Sequence, residues 1–502
     1  LKNYGIDMAQ NGSQSDHLET LDRDLGRFLT LERATAYMAR PMVGPSVGFI
    51  FILLAGLLAA LSFGQASNTL IIIIVAVFGA YMALNIGAND VANNMGPAVG
   101  ANALTMGGAI AIAAIFESAG AFIAGADVVS TVATGIIAPG AMGNSTAFIW
   151  AMMAALVSAA LWVNLATWIG APVSTTHAVV GGVVGSGIAG AGIMAVNWEN
   201  MIAIAASWVI SPVMGGVIAA GCLWFIKARI IYQDDKITAA RKWVPVLVGI
   251  MAGTFATYLA VKGLGHVVKI SLNLAMLIGL AFGVVTWLIM LPVIRRQSAG
   301  LENRNKSLKV LFGAPLVLSA ALLSFAHGAN DVANAVGPLA AIVQVAKSGS
   351  ITSDVSIPFW VMCIGALGIS FGLFLFGPKL IRVVGSQITK LNPMRAYCVA
   401  LSAAITVIAA SWLGLPVSST HIAVGAIFGV GFFREWDAER RLKKAHQSTN
   451  GPKIAPEERR RRKLVRRSHV LTIGAAWVFT VPAAAILSML IFFVLSGVGG
   501  SF

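Results

Sequence analysis

The chain is 502 residues long, 57% hydrophobic and only 11% charged, with a mean hydropathy of +0.82. That balance excludes an ordinary soluble domain and marks an all-α polytopic membrane protein, because apolar runs of about 20 residues, enough to cross a bilayer, recur along it. The formal net charge of +15 does not point to nucleic acid. The basic residues gather in a few loops between apolar segments, as the positive-inside rule requires.

Residues 1–45 are polar, and at that length they do not read as the charged front of a cleaved signal peptide. Leu18, Leu21, Leu25, Phe28 and Leu29 follow helical spacing, which fits an interfacial amphipathic helix or a plain tail. The chain opens on Leu1 rather than Met, so an earlier start is expected. About twelve hydrophobic segments follow, near 47–63, 69–86, 106–126, 147–169, 202–226, 243–262, 270–294, 309–326, 356–376, 396–413 and 470–497, with 172–195 and 416–433 shorter and broken by Pro and Gly.

These segments group into a first repeat half with flanking helices (46–226), a connecting segment of two spans between basic cytoplasmic loops (227–308) and a second repeat (309–433). A basic cytoplasmic loop (434–469) and a C-terminal span (470–502) complete the chain. The loop carries Arg459, Arg460, Arg461, Arg462 and Lys463, and its expected place is beside anionic lipid. Cys222, Cys363 and Cys398 lie in apolar segments without metal-like spacing and read as packing residues.

The grouping rests on two duplicated motifs. Gly-Ala-Asn-Asp-Val-Ala-Asn occurs at Gly87 to Asn93 and again at Gly328 to Asn334, an offset of 241 (328 − 87), each copy followed by Gly-Pro. Pro172-Val173-Ser174-Thr175-Thr176-His177 is answered by Pro416-Val417-Ser418-Ser419-Thr420-His421, an offset of 244 (416 − 172). The loop one span beyond each Asn/Asp motif differs in charge. Asp127 to Thr146 has no Lys or Arg, whereas Pro378 to Arg395 has Lys379, Arg382, Lys390 and Arg395. The first loop is therefore expected outside and the second inside, so the repeats run in opposite directions, the hallmark of an inverted-topology transporter with its site near the midplane.

A charged side chain at bilayer depth costs at least ~2.5–3.5 kcal/mol, so Asp90 and Asp331 need a reason to be there. Asn89, Asp90 and Asn93, with Asn330, Asp331 and Asn334, offer oxygen ligands to a small hard cation, and the two Asp can instead carry protons. Helix capping is the plain alternative for each cluster. In the second motif Ser174, Thr175 and Thr176, and Ser418, Ser419 and Thr420, follow a proline at the start of a short Gly-rich stretch, which suits the N-terminus of a re-entrant helix. Amides, helix dipole and hydroxyls there make an anion cradle, or the hydroxyls merely satisfy helix-end amides.

Neither motif contains Lys or Arg, so a bound dianion needs mobile cations to neutralise it. Inward movement of one negative charge costs ~2.3 kcal/mol per 100 mV, which asks for at least two. Glu117 sits in a span and either lines the cation path or is a satisfied polar residue. His177, His421 and His327 read as hydrogen-bonded structural residues. His327 has Ile86 as its counterpart, so its role is not symmetric. No Walker A sequence, nucleophile elbow or metal-type His/Cys spacing occurs, and neither an enzyme nor a bound cofactor is expected.

Taken together the motifs resemble the inorganic phosphate transporter (Pit) family, from about residue 69 to 497. The resemblance implies cation-coupled phosphate uptake by an inverted repeat with two re-entrant hairpins. It implies that Asp90, Asn93, Asp331 and Asn334 belong to the cation and phosphate site, that the six hydroxyl residues surround phosphate, and that Glu117 matches a family acidic position. Some members carry another acid before the second hydroxyl motif. Tyr397 to Ser411 has none, which leaves sodium and protons both open as co-transported ions.

The expectation is a secondary active symporter of inorganic phosphate, carried bare or as a metal complex, with a sulfate permease of the same architecture or a passive anion channel as alternatives. Its partners are phosphate, the coupling cation and the lipid bilayer. A homodimer is left open, and the bacterial inner membrane is the expected location.

Overall fold

The computed structural model describes residues 42–64, 68–138, 140–169, 173–263, 270–350, 356–383, 391–448 and 467–499. The expected N-terminal interfacial helix and the Arg459 to Lys463 run lie outside them. Contacts divide the chain into Leu1–Ile50 and Phe51–Phe502, and everything that follows concerns the second unit.

Helices account for nearly all of the described residues. They are α1 (Met42–Phe63), α2 (Thr69–Asn89), α3 (Val91–Gly100), α4 (Met106–Ala124), α5 (Ala126–Ser130), α6 (Ser145–Ile169), α7 (Thr175–Ala191), α8 (Trp198–Ile226) and α9 (Lys236–Lys262). After these come α10 (Leu272–Gln297), α11 (Asn305–Leu311), α12 (Gly313–Asp331), α13 (Ala333–Ser348), α14 (Phe359–Val383), α15 (Pro393–Trp412), α16 (Ser419–Ser448) and α17 (Arg467–Gly499). Starts follow local chemistry. Thr105 accepts from the Gly108 amide at 3.2 Å before α4, Asp235 from Thr238 at 3.0 Å before α9, and Asn392 from Arg395 at 3.1 Å before Pro393 opens α15.

Eleven helical runs among the described residues are long and apolar enough to cross a membrane. α2 with α3 and α12 with α13 each count as one run, and α7 and α16 are not among the eleven. The segments expected to be broken by Pro and Gly are these two. The α12–α13 run is the most enclosed, 89% buried, whereas α10 is only 17% buried and turns its apolar surface outward. The second Asn/Asp motif is therefore central.

Packing is reciprocal between the halves. Gly87 of α2 abuts the backbone of Ile369 in α14, and its counterpart Gly328 of α12 abuts Glu117 in α4; Gly372 meets Leu84 and its counterpart Gly120 meets Phe325. A side chain at any of these four glycines would strike a main-chain carbonyl, so only Gly allows the approach. The exchange makes Ser118 and Ser370 equivalent, and their hydroxyls meet at 2.9 Å. His177 and His421, also equivalent, meet edge-on at 4.8 Å.

Direction follows from the same contacts. Gly181 and Gly185 of α7 meet Val481 and Ala485 of α17 in parallel, and Gly425 and Gly429 of α16 meet Pro212 and Gly216 of α8 in parallel. The chain reverses between α7 and α8, since His177 lies 4.0 Å from Trp208 across the connection at Gly192 to Asn197. α7 and its counterpart α16 thus run in opposite senses, as an inverted repeat requires.

Candidate functional site

Both Asn/Asp motifs lie at helix breaks. α2 stops at Asn89 and α3 restarts at Val91, with the Asn93 amide bonded to the Asp90 carbonyl at 3.0 Å; α12 stops at Asp331 and α13 restarts at Ala333, with the Ala335 amide bonded to the Val332 carbonyl at 3.2 Å. These three-residue closures tighten the turn and leave side chains facing inward. The hydroxyl motifs arrive at the starts of α7 and α16. Ser174 caps α7 by accepting from the His177 amide at 3.2 Å, and Ser418 accepts from the His421 amide at 3.3 Å. Pro172 lies outside the described residues. The Trp208 indole donates to the Pro416 carbonyl at 2.9 Å and fixes the second tip.

The four segments converge. Asp90 is 4% exposed and accepts from Thr175 at 2.8 Å and from Thr420 at 3.3 Å. The Asn93 amide donates to Thr420 at 2.9 Å, while the Asn334 amide donates to Thr175 at 3.3 Å and to Thr176 at 3.2 Å. Asp331 is 1% exposed and accepts from Ser419 at 3.1 Å. Thr176 donates to the Val417 carbonyl at 3.0 Å. One rule covers the network: each Asp is bonded by a hydroxyl of its own half, and each Asn of the Asn93 pair reaches the hydroxyl helix of the other half.

Two expected ligands lie elsewhere. Asn89 donates to Thr167 at 3.1 Å, and its counterpart Asn330 donates to Ser411 at 3.0 Å and to the Leu415 carbonyl at 3.1 Å, with its oxygen accepting from the Val417 amide at 3.1 Å. Both brace the end of the preceding helix. The hydroxyl oxygens of Ser174 and Ser418 are engaged as caps, so Thr175, Thr176, Ser419 and Thr420 are the residues of their motifs that meet the Asn/Asp groups.

Glu117 and His327 enter from α4 and α12. Glu117 accepts from the Asn94 amide at 3.0 Å and lies 2.5 Å from His327 Nδ1. His327 is fully buried, and its Nε2 stands 2.7 Å from Asp331 Oδ2. That approach is off the N–H line, so it is a close contact rather than an aligned hydrogen bond. Asn94 was invisible in the sequence because it sits beside the motif rather than within the shared heptapeptide. The Thr167/Ser411 brace could have been found from its offset of 244 (411 − 167), the same as that of the hydroxyl motifs.

The chain was compared with known proteins. The model of the phosphate transporter family matches residues 86–488. A Helicobacter pylori protein named "Putative phosphate permease" is 52% identical over 408 residues, covering 80% of this chain and 76% of its own. One of the same name from Haemophilus influenzae is 34% identical over 429 residues, covering 84% and 96%. A solved structure described as "The sodium-dependent phosphate transporter" superposes with a TM-score of 0.77 at 34% identity, covering 85% of this chain and 99% of that one. This chain belongs to the phosphate transporter family.

Proposed function

We propose that the protein is a secondary active symporter that imports inorganic phosphate together with cations, sodium or protons, at a site made by Asp90, Asn93, Asp331 and Asn334 with Thr175, Thr176, Ser419 and Thr420. The observation that carries the reading is the sharing of hydroxyl donors. Thr175 and Thr420 both donate to Asp90, and Ser419 donates to Asp331. A cation that neutralises Asp90 weakens its claim on those donors and frees them for an anion at the helix starts. Anion binding in turn holds the cation, and each solute raises the affinity for the other.

Phosphate near neutral pH retains a proton to give to a carboxylate, which sulfate lacks, so the buried Asp pair favours phosphate. The hairpins α6–α7 and α15–α16 are read as re-entrant, their tips forming the anion cradle. The relatives from Helicobacter and Haemophilus support placement in a bacterial inner membrane. The phosphate travels bare or as a metal complex, and a homodimer remains an open assembly.

Uptake of labelled phosphate into proteoliposomes tests the proposal, with sodium and proton gradients imposed separately and sulfate as competitor. Accumulation above the external concentration under one gradient is expected, and Asp90→Asn abolishes it while the protein still inserts. Flux without gradient dependence would instead identify a passive channel, and stronger inhibition by sulfate than by unlabelled phosphate a sulfate permease.

A further inference from the structure

The symmetry that organises the site fails at one place. His327 has Ile86 as its counterpart, and Glu117 has Ile369, by the same glycine pairing that makes Ser118 equivalent to Ser370. A string of Asn94, Glu117 and His327 therefore exists on one side only, and it ends at Asp331. Nothing in the hydroxyl and amide network requires it.

The string has the form of a metal ligand with its outer support. Ligating histidines usually give their second ring N–H to a carboxylate, which sets the tautomer and aims the remaining nitrogen. Here Nδ1 faces Glu117 Oε2 at 2.5 Å, and Asn94 holds the other Glu117 oxygen at 3.0 Å. Nε2 is left without an aligned hydrogen-bond partner, as is Asp331 Oδ1, and both are buried. Ligand atoms of Asp90, His327 and Asp331 all lie within 4.8 Å of one another. Two ligand bonds of about 2.1 Å span about 4.2 Å, so the trio needs to draw in by only about half an ångström. Thr175, Thr420 and Ser419 already hold the carboxylates in place.

We infer that Asp90, His327 and Asp331 form a binding site for one first-row divalent cation, with Glu117 as the positioning residue that aims the imidazole. Two carboxylates and an imidazole suit manganese, iron, cobalt or zinc; sodium, a hard cation served by oxygen alone, gains nothing from the nitrogen. Two carboxylates also match the ion's charge. The inference deepens the proposed function by naming the class of one cation at its carboxylates.

Equilibrium binding of Mn²⁺ or Zn²⁺ alone to the detergent-solubilised full chain, without phosphate, is the test. One ion per chain is expected, undisturbed by a hundredfold excess of sodium. His327→Gln abolishes tight binding, and Glu117→Gln weakens it about 10- to 100-fold. Pulsed electron paramagnetic resonance of bound Mn²⁺ in the unmodified protein reads imidazole nitrogen coupling without any variant. Absence of binding, unchanged binding in His327→Gln, or a bound ion without nitrogen coupling would each overturn the assignment. These measurements involve no transport, so a failure of phosphate uptake and a failure of the metal site are told apart.

Discussion

Asn89 and Asn93 are four positions apart and chemically identical, yet they do different work. Four positions along one helix share a face, but the break at Asp90 puts the two residues on separate helices. Asn89 turns to Thr167 and Asn93 to Thr420. Asn93→Ala is expected to lower kcat/KM for phosphate uptake by about tenfold or more, the value of a buried hydrogen bond in a polar network. Asn89→Ala should leave uptake within about twofold and instead lower the thermal midpoint, by about 1 kcal/mol of lost helix bracing. Equal loss of uptake in both variants would remove the distinction. The sequence named the right six Asn/Asp residues but could not sort them, because periodicity assumes a continuous helix. It likewise favoured a structural role for His327, since nothing in the primary order says that α4 brings Glu117 to it.

Elements were more legible than contacts. Hydropathy located each crossing segment near its observed place, because about 20 apolar residues have few other uses. Its reach failed at α16, expected to end near residue 433 and observed to Ser448. The extension is charged and has no hydropathy signal. Its Asp437 pairs with Lys227 at 2.6 Å and also accepts from the Tyr232 hydroxyl, tying α16 to the end of α8. Burial, then the hydrogen bond and charge of Asp437, pushes the Tyr232 phenol up to about 12. A raised value favours the neutral phenol in the fold, so its stabilisation is complete below the ordinary value near 10 and is lost as pH rises toward 12. The fall in thermal midpoint between pH 10 and 12 should therefore be shallower in Tyr232→Phe, and parallel curves would exclude the contribution. Close helix contacts allow a second test. At Gly372 a methyl group would strike the Leu84 carbonyl, whereas Gly107 faces open space. Gly372→Ala is expected to cost about 1–3 kcal/mol in an unfolding assay, and Gly107→Ala to be neutral or to stabilise by up to about 1 kcal/mol.

For the whole molecule, opposed repeats supply two nearly equivalent arrangements of one chain, the requirement for opening a central site first to one side and then to the other. Residues that meet their own counterparts mark the axis about which the halves exchange. Ser118 and Ser370 do so, on helices that also clasp the two Asn/Asp helices through Gly120 and Gly372. Motion of one half past the other cannot keep that contact unchanged while it repacks the glycine crossings. Hydroxyl oxygens 2.9 Å apart place the two β-carbons within reach of a disulfide. Ser118→Cys combined with Ser370→Cys should therefore cross-link under a mild oxidant. Phosphate uptake is expected to fall to background on oxidation and to recover with a reductant, while each single variant stays active under both conditions. Full uptake by the oxidised double variant would mean that α4 and α14 move as one body, and the rocking surface would then have to lie farther out, between the α4–α14 pair and the hydroxyl helices α7 and α16.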